Sequence, residues 1–342
     1  MGEGGTMDHL EPRPLDAGMD GRVLYLSESE VERVAPDMST VIGLLERAFR
    51  EKGEGRIEMP PKPGIHPQPD AFIHAMPAFI PSLGSAGVKW VSGYPTNQAR
   101  GLPYISGLLI LNDPATGIPY AVMGCVWITA VRTAAASALS ARYLARRESE
   151  TLGILGCGVQ GRTHVEALRV VLPGLRTLLA YDIDRSKASR FADEMAAAHG
   201  LTATAVETPR EAVSGCDVVV TAGPILRRPH ATIKAGWVEA GAFVSAVDFD
   251  SYFDARALAE FDKVTTDDVA QLHHFRDVGY FQSFPPIHAD LGDLVLERKP
   301  GRETPGERTM ACNLGVALDD MAVAPTIFAR ARELGVGTLL RL

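Results

Sequence analysis

The 342-residue sequence predicts an α/β protein in two parts: a doubly wound parallel sheet in the second half and a strand-rich α+β unit in the first. Three observations carry this prediction. Residues 151–182 read as an apolar strand, the glycine turn Gly156-Cys157-Gly158-Val159-Gln160-Gly161, an amphipathic helix and a second apolar strand closed by Asp182. Beyond Asp182, apolar strands and helical stretches keep alternating, which is the pattern of a parallel sheet. Residues 22–125 instead hold several short strand-like runs.

The glycine turn carries the first chemical signal. Gly156 permits a tight turn, Gly158 lets a pyrophosphate approach the backbone, and Gly161 lets the helix pack on the strand. The helix N-terminus offers unpaired N–H groups and partial positive charge to the phosphates. Asp182 stands where an acid accepts hydrogen bonds from the adenosine ribose. Together these predict a Rossmann NAD(P)-binding domain. A carboxylate at that position repels a 2′-phosphate, so NAD is favoured over NADP. Arg185 lies close enough in sequence to weaken that preference.

Composition narrows the class. The hydrophobic fraction is 46% and the mean hydropathy is +0.03, as expected of a packed globular chain long enough for two domains. Net charge is −8, with no basic cluster, so nucleic acid is not an expected partner. No apolar run approaches the roughly 18 residues of a membrane span. Residues 1–21 are polar, rich in Gly and Pro, and read as a disordered tail without the apolar core of a signal peptide. Cys125, Cys157, Cys216 and Cys312 are scattered, which argues against a disulfide framework or a metal site and fits the cytoplasm.

The elements follow in order. Val23 to Leu26 reads as a strand. Ser27 and Glu30 form a capping box ahead of a short helix that Pro36 ends. Met38 to Lys52 has Val41, Leu44, Leu45, Ala48 and Phe49 on one helical face. Arg56 to Met59, Phe72 to Phe79 and Val88 to Ser92 read as strands. Gly107 to Asn112 and Tyr120 to Gly124 form a hairpin across Asp113-Pro114-Ala115-Thr116-Gly117. Thr129 to Arg147 is an alanine-rich helix that links the two parts. Past Asp182, helices are expected at Ser186 to His199 and Thr208 to Val213. Strands are expected at Thr202 to Val206, Asp217 to Ala222 and Ala242 to Val247, with Lys263 to Thr266 as the last. Residues 285–309 read as loop, and Asn313 to Leu334 as a final helix returning to the first part.

Three cations stand out. Lys89 sits in an apolar strand, Arg132 among alanines, and Lys62 in a proline-rich loop. A buried cation needs an anionic partner. That partner is either an internal acid or a substrate carboxylate, which the Arg132 guanidinium could grip with two bonds. Asp248 and Asp250 follow a strand end, where a parallel sheet places its ligands. In an extended chain the two point the same way, and their proximity would raise one pKa into the range of a general acid–base. Asp267, Asp268, His273 and His274 read as a surface cluster. His288, Asp290 and Asp293 have no metal-ligand geometry.

Several stretches then resemble the ornithine cyclodeaminase/μ-crystallin family: Gly87-Val88-Lys89-Trp90-Val91, the segment Arg132-Thr133-Ala134-Ala135, the glycine turn with Gln160, and Asn313-Leu314-Gly315 with the helix after it. The resemblance covers residues 22–342. It implies a substrate-binding and dimerisation domain from residues 22–145 and 312–342, and a Rossmann domain from 146–311. By motif position it implies that Lys89 and Arg132 hold a substrate carboxylate and that Asp250 is the catalytic aspartate of the cyclodeaminases. It places Val159, Gln160, Asp182, Thr221 and Val247 at the cofactor, and Asn313 and Leu314 beside nicotinamide and substrate. Lys62 stands where cyclodeaminases have arginine. Asp254 replaces a lysine, Tyr104 a threonine, and Val247-Asp248-Phe249-Asp250-Ser251 a glycine-rich segment.

The implied activity is an NAD-dependent cyclodeaminase acting on a diamino acid such as L-ornithine. Hydride leaves Cα, the distal amine closes a ring, ammonia departs, and the cyclic imine regains the hydride. The alternative implied by the same family is an NAD(P)H-dependent imine or ketimine reductase, or an amino-acid dehydrogenase. A non-catalytic binding protein is a third. The expected partners are an amino-acid or imino-acid substrate and a second copy of the chain in a homodimer.

Overall fold

The computed structural model describes residues 21–342. The tail expected over residues 1–21 lies almost wholly outside the described residues. The chain opens with strand β1 (Arg22–Leu26) and helix α1 (Glu28–Val34). Glu30 accepts from the Ser27 amide at 2.8 Å and from its hydroxyl at 2.7 Å, the capping contact the sequence predicts. Helix α2 (Met38–Gly53) begins at Asp37, whose carboxylate takes the Thr40 amide, and buries the predicted face.

The first sheet is then laid down as β2 (Gly64–Ile65), β3 (Phe72–Ile80), β4 (Ser85–Gly93), β5 (Ile105–Asn112) and β6 (Pro119–Gly124). Arg56 to Met59 is not a strand. Only Glu58 pairs there, bridging Phe79, because the chain turns into the proline-rich loop before a ladder can extend. Helix α3 (Val126–Leu144) follows, starting earlier than expected because the Glu28 carboxylate caps the amides of Val126 and Trp127. Ala134, Ala135, Ala138 and Ala141 on it are buried.

The second part alternates as β7 (Thr151–Leu155), α4 (Val159–Val171), β8 (Thr177–Tyr181), α5 (Arg185–His199), β9 (Thr202–Ala205), β10 (Val218–Thr221) and β11 (Phe243–Ala246). It continues with α6 (Ala255–Leu258), β12 (Lys263–Thr266), α7 (Val269–Asp277), β13 (Ala289–Asp290), α8 (Leu291–Val295) and β14 (Thr309–Ala311). Residues 208–213 form turns rather than a helix, with the Glu211 carboxylate bonded back to the Thr208 amide and hydroxyl. Residues 285–309 are not all loop. They supply β13, α8 and the start of β14, so β12 is not the last strand of this sheet. These strands have two or three residues each, too short for an alternation signal.

Helix α9 (Ala317–Leu334) and strand β15 (Thr338–Arg341) return to the first part. The first sheet is ordered β15-β1-β6-β5-β4-β3-β2, and the second β13-β12-β14-β11-β10-β7-β8-β9. Every pair in the second sheet is parallel. The order reverses between β7 and β10, which makes the crevice beyond their carboxyl ends the ligand site of a doubly wound sheet. Helices α2, α3 and α9 pack against one another beneath the first sheet, and α3 also packs on α4. The four cysteines are buried and unpaired. Among the described residues no helix is long and apolar enough to cross a membrane.

Candidate active site between the two sheets

A cavity of about 1280 Å³ lies where the carboxyl edge of the parallel sheet meets the first part. One wall is built from the glycine turn, residues 222–228, Val247 and Asn313. Lys62, His74, Tyr104 and Arg132 also line the cavity, together with the packed aromatic rings of Phe249, Phe275 and Tyr280.

The glycine wall fits a dinucleotide. Gly156 has φ +104°, and a Cβ there would lie 2.5 Å from the Ala222 carbonyl oxygen. A Cβ on Gly161 would lie 2.6 Å from the Gly156 carbonyl, so α4 can seat on β7 only with glycine there. Gly158 is different: a Cβ would meet nothing within 4 Å, because the space before it is the open cradle. No side chain caps the start of α4, so its first N–H groups are available to an anion. Asp182 accepts from the Cys157 and Asp184 amides, each at 3.0 Å, which pins the carboxylate beside the turn. Arg185, whose sequence position raised the question of 2′-phosphate binding, is ion-paired with Glu207. Gln160 Oε1 and Asn313 Oδ1 are buried without partners on residues that line the cavity. Two orphaned acceptors at a cavity wall are the mark of a missing donor. Thr221 is buried behind this wall, with its hydroxyl committed to Asp248 at 2.6 Å.

The cations converge on the turn that leads into α9. Lys62 Nζ donates to the carbonyls of Leu314 at 2.8 Å and Gly315 at 2.9 Å, and lies 5.1 Å above the Phe275 ring. From the other side the Asp267 carboxylate accepts the Leu314 and Gly315 amides at 2.9 and 2.8 Å. Gly315 has φ +70°, and a Cβ on it would stand 2.3 Å from Arg132 Nη1, so the guanidinium lies directly on the turn. Arg132 also meets Asp319 and Asp320, each at 3.3 Å. Lys89 Nζ is 2.7 Å from Asp320 and 3.3 Å from the Thr129 hydroxyl, and is wholly buried. Lys89 does not line the cavity; Lys62, Arg132, Asn313 and Leu314 do.

Burial, and then the neighbouring Arg132, draw the Lys62 ammonium down to about 7. Burial pushes Asp319 up to about 8 against the pull of Arg132. For Arg132 itself the balance is reversed: Asp320 and Asp319 outweigh burial and hold its pKa above the usual value. Of this cluster, Arg132 and Lys62 line the cavity.

The acidic pair expected after β11 is not side by side, although Asp250 adds, after burial, a minor push to the raised pKa of Asp248. Phe249 has φ +65°, so residues 248–250 are not extended and the two carboxyls do not share a side. Asp248 turns toward β10, accepting from Thr221 and from the Gly223 amide at 2.8 Å, and burial pushes it up to about 7. Asp250 lines a separate small cavity, and Phe249 faces the large one.

Sequence reasoning missed three acids. Asp267 was expected at the surface, yet it is fully buried, because it follows β12 onto the ligand edge as Asp248 follows β11. Asp319 and Asp320 are fully buried near the start of α9. Their signal was available: adjacent carboxylates in an otherwise apolar frame need cations.

A doubly wound sheet with a glycine cradle, facing a cation cluster in a second sheet-and-helix part, defines a two-part protein shaped for a dinucleotide and a small anion. The chain belongs to the ornithine cyclodeaminase/mu-crystallin family, whose model matches residues 23–335. It is 35% identical over 327 residues to an alanine dehydrogenase of Archaeoglobus fulgidus, covering 93% of this chain and 98% of that one. The structure of Thermococcus litoralis Delta(1)-pyrroline-2-carboxylate reductase in complex with NADH and L-proline matches with TM-score 0.83 and 34% identity, over 92% of this chain and 99% of that one. A lysine cyclodeaminase structure matches with TM-score 0.82 and 28% identity, over 94% and 96%.

Proposed function

We propose that the protein is an NAD-dependent oxidoreductase that interconverts a small α-imino and α-amino carboxylate. The observation that carries this reading is the composition of the cavity. Arg132 and Lys62 line it as anion-binding groups, Phe249, Phe275 and Tyr280 give it an aromatic lining, and the acid among its lining residues, Asp70, lies on an exposed loop. Ring closure with loss of ammonia would require a carboxylate at a distal amine, and Asp250 lies outside this space. That favours the redox alternative over the cyclodeaminase.

Gly158, Gln160, Asp182, Val247 and Asn313 would hold NAD, which supplies and accepts the hydride. The Arg132 fork would fix the substrate carboxylate. Lys62, with its ammonium near neutrality, would give a proton to the substrate nitrogen during reduction and take it back during oxidation. Phe249, Phe275 and Tyr280 would exclude water and receive an apolar side chain. Lys89, bonded to Asp320, would position Arg132 rather than touch substrate.

A homodimer belongs to the same proposal. Trp90 and Leu108 are cross-strand neighbours on β4 and β5 and are 50% and 42% exposed, an apolar face suited to a second copy.

The test is NADH consumption. Stoichiometric oxidation with a cyclic imino acid, or with a 2-oxo acid plus ammonia, is expected, and no ammonia from L-ornithine with catalytic NAD. Ammonia release from ornithine without net NADH change would overturn the reading.

A further inference from the structure

Two serines, Ser137 and Ser140, interrupt the alanine-rich middle of α3, and both are buried. A buried hydroxyl is destabilising unless it is bonded, and alanine would fill either place with no polar group to satisfy. Ser137 meets His164 Nε2 at 2.9 Å and accepts the Ser245 hydroxyl at 2.9 Å, so it ties α3 to α4 and β11. Ser140 reaches elsewhere. Its oxygen meets Nδ2 of Asn313, 173 residues along the chain, at 3.1 Å.

That bond has one polarity. The Ser140 hydroxyl carries a single proton, which it donates to the Ala136 carbonyl at 3.0 Å. It can therefore only accept from Asn313, and the amide NH2 is the end that meets it. Turned over, the amide would set its oxygen against a hydroxyl whose proton is already committed. Asn313 Oδ1 is left buried and without a partner, on a residue that is 6% exposed and lines the large cavity. An amide oxygen accepts and cannot donate, so its missing partner is a donor. The backbone beside it is fixed independently, because Lys62 holds the carbonyls of Leu314 and Gly315 and Asp267 holds their amides.

We propose that Ser140 is a positioning residue for the cofactor: it fixes Asn313 with the amide oxygen as acceptor, and that oxygen takes the carboxamide N–H of the nicotinamide ring. This rests on the NAD-dependent reading above. Asp182, beside the glycine turn, would take the adenosine end. Asn313 instead precedes the turn on which Arg132 lies, so the redox end of the dinucleotide belongs with it. At that end the carboxamide and the ribose hydroxyls are the donors. Holding the carboxamide decides which ring face meets the substrate, and the test separates it from the hydroxyls.

The probe is reduced 3-acetylpyridine adenine dinucleotide, in which a methyl replaces the carboxamide NH2 and the rest of NADH is kept. Calorimetric titration of each dinucleotide into the full-length protein gives the ratio of their affinities. Wild type is expected to favour NADH by about tenfold or more, the scale of one hydrogen bond to an otherwise unmet buried acceptor. Ser140→Ala frees the amide to turn its NH2 toward the acetyl oxygen, and should bring the ratio below about threefold. Asn313→Ala should abolish the preference. Ser137→Ala removes a buried hydroxyl from the same helix, and should lower the melting temperature while leaving the ratio at its wild-type value. A ratio unchanged in Ser140→Ala, or lowered equally in Ser137→Ala, would overturn the positioning role. Equal binding of the two dinucleotides by wild type would overturn the carboxamide as the donor. Binding of neither would bring down the cofactor reading itself, a result distinct from the other two.

Discussion

Lys89 Nζ lies 2.7 Å from Asp320 Oδ1, and neither side chain has any exposed surface. The pair joins the middle of β4 to the first turns of α9. Both groups also adjoin Arg132, so the fixed position of the guanidinium depends on them.

Breaking that pair from one side leaves an uncompensated buried charge. Asp320→Asn should destabilise the protein by about 3–5 kcal/mol, and Lys89→Met by a similar amount. The double variant Lys89→Met/Asp320→Asn should lose clearly less than the two losses added. Urea denaturation followed by fluorescence measures this. Simple additivity would show that the two groups do not sense each other.

Arg132→Lys keeps the charge and loses the planar fork. KM for a carboxylate substrate should rise by about 30- to 100-fold, corresponding to roughly 2–3 kcal/mol of lost bidentate bonding. NADH affinity, read by fluorescence titration, should change little. A loss confined to NADH would move Arg132 from the substrate to the cofactor.

Two glycines of one turn should respond differently. Gly158→Ala places a methyl in open space, so the melting temperature should hold while NADH binding weakens by about tenfold as the cradle fills. Gly161→Ala drives its Cβ to 2.6 Å from the Gly156 carbonyl, and should cost about 1–3 kcal/mol of stability whether or not cofactor is present. Thermal melts with and without NADH separate the two.

His164 is fully buried between α4 and α3. Its Nδ1 faces the Gln160 carbonyl at 2.7 Å, so that nitrogen carries the proton, and its Nε2 meets the Ser137 hydroxyl at 2.9 Å. Burial lowers its pKa from 6.5 to about 4. The unfolded chain therefore binds the proton more readily. The linked stability is full above pH 6.5 and is lost as pH falls toward 4, by about 3 kcal/mol in all. His164→Gln should flatten that part of the stability–pH curve. An unchanged curve would assign the acid sensitivity to other groups.

Sequence alone settled the features whose signal is local. The turn from Gly156 to Gly161 needs glycine for steric reasons wherever it occurs between a strand and a helix, and Asp182 closes the following strand. The faces of α2 and α4 follow from helical spacing, and the capping contact of Glu30 from a four-residue pattern. Arg132 and Lys62 were identifiable because a cation in apolar surroundings demands an anion, which is a statement about free energy rather than about fold.

Tertiary structure decided what depends on partners distant in the chain. No spacing rule joins Lys89 to Asp320, or Lys62 to Asp267, across more than 200 residues. Only the packing of α9 beneath the first sheet makes Lys89 internal and leaves Arg132 facing the cavity. One backbone angle, φ at Phe249, likewise determines that an aromatic ring and not a carboxylate faces the cavity. An extended chain was the natural expectation there, and the hydrogen bonds of Asp248 and Ser251 that override it form only once β10 and β11 lie side by side.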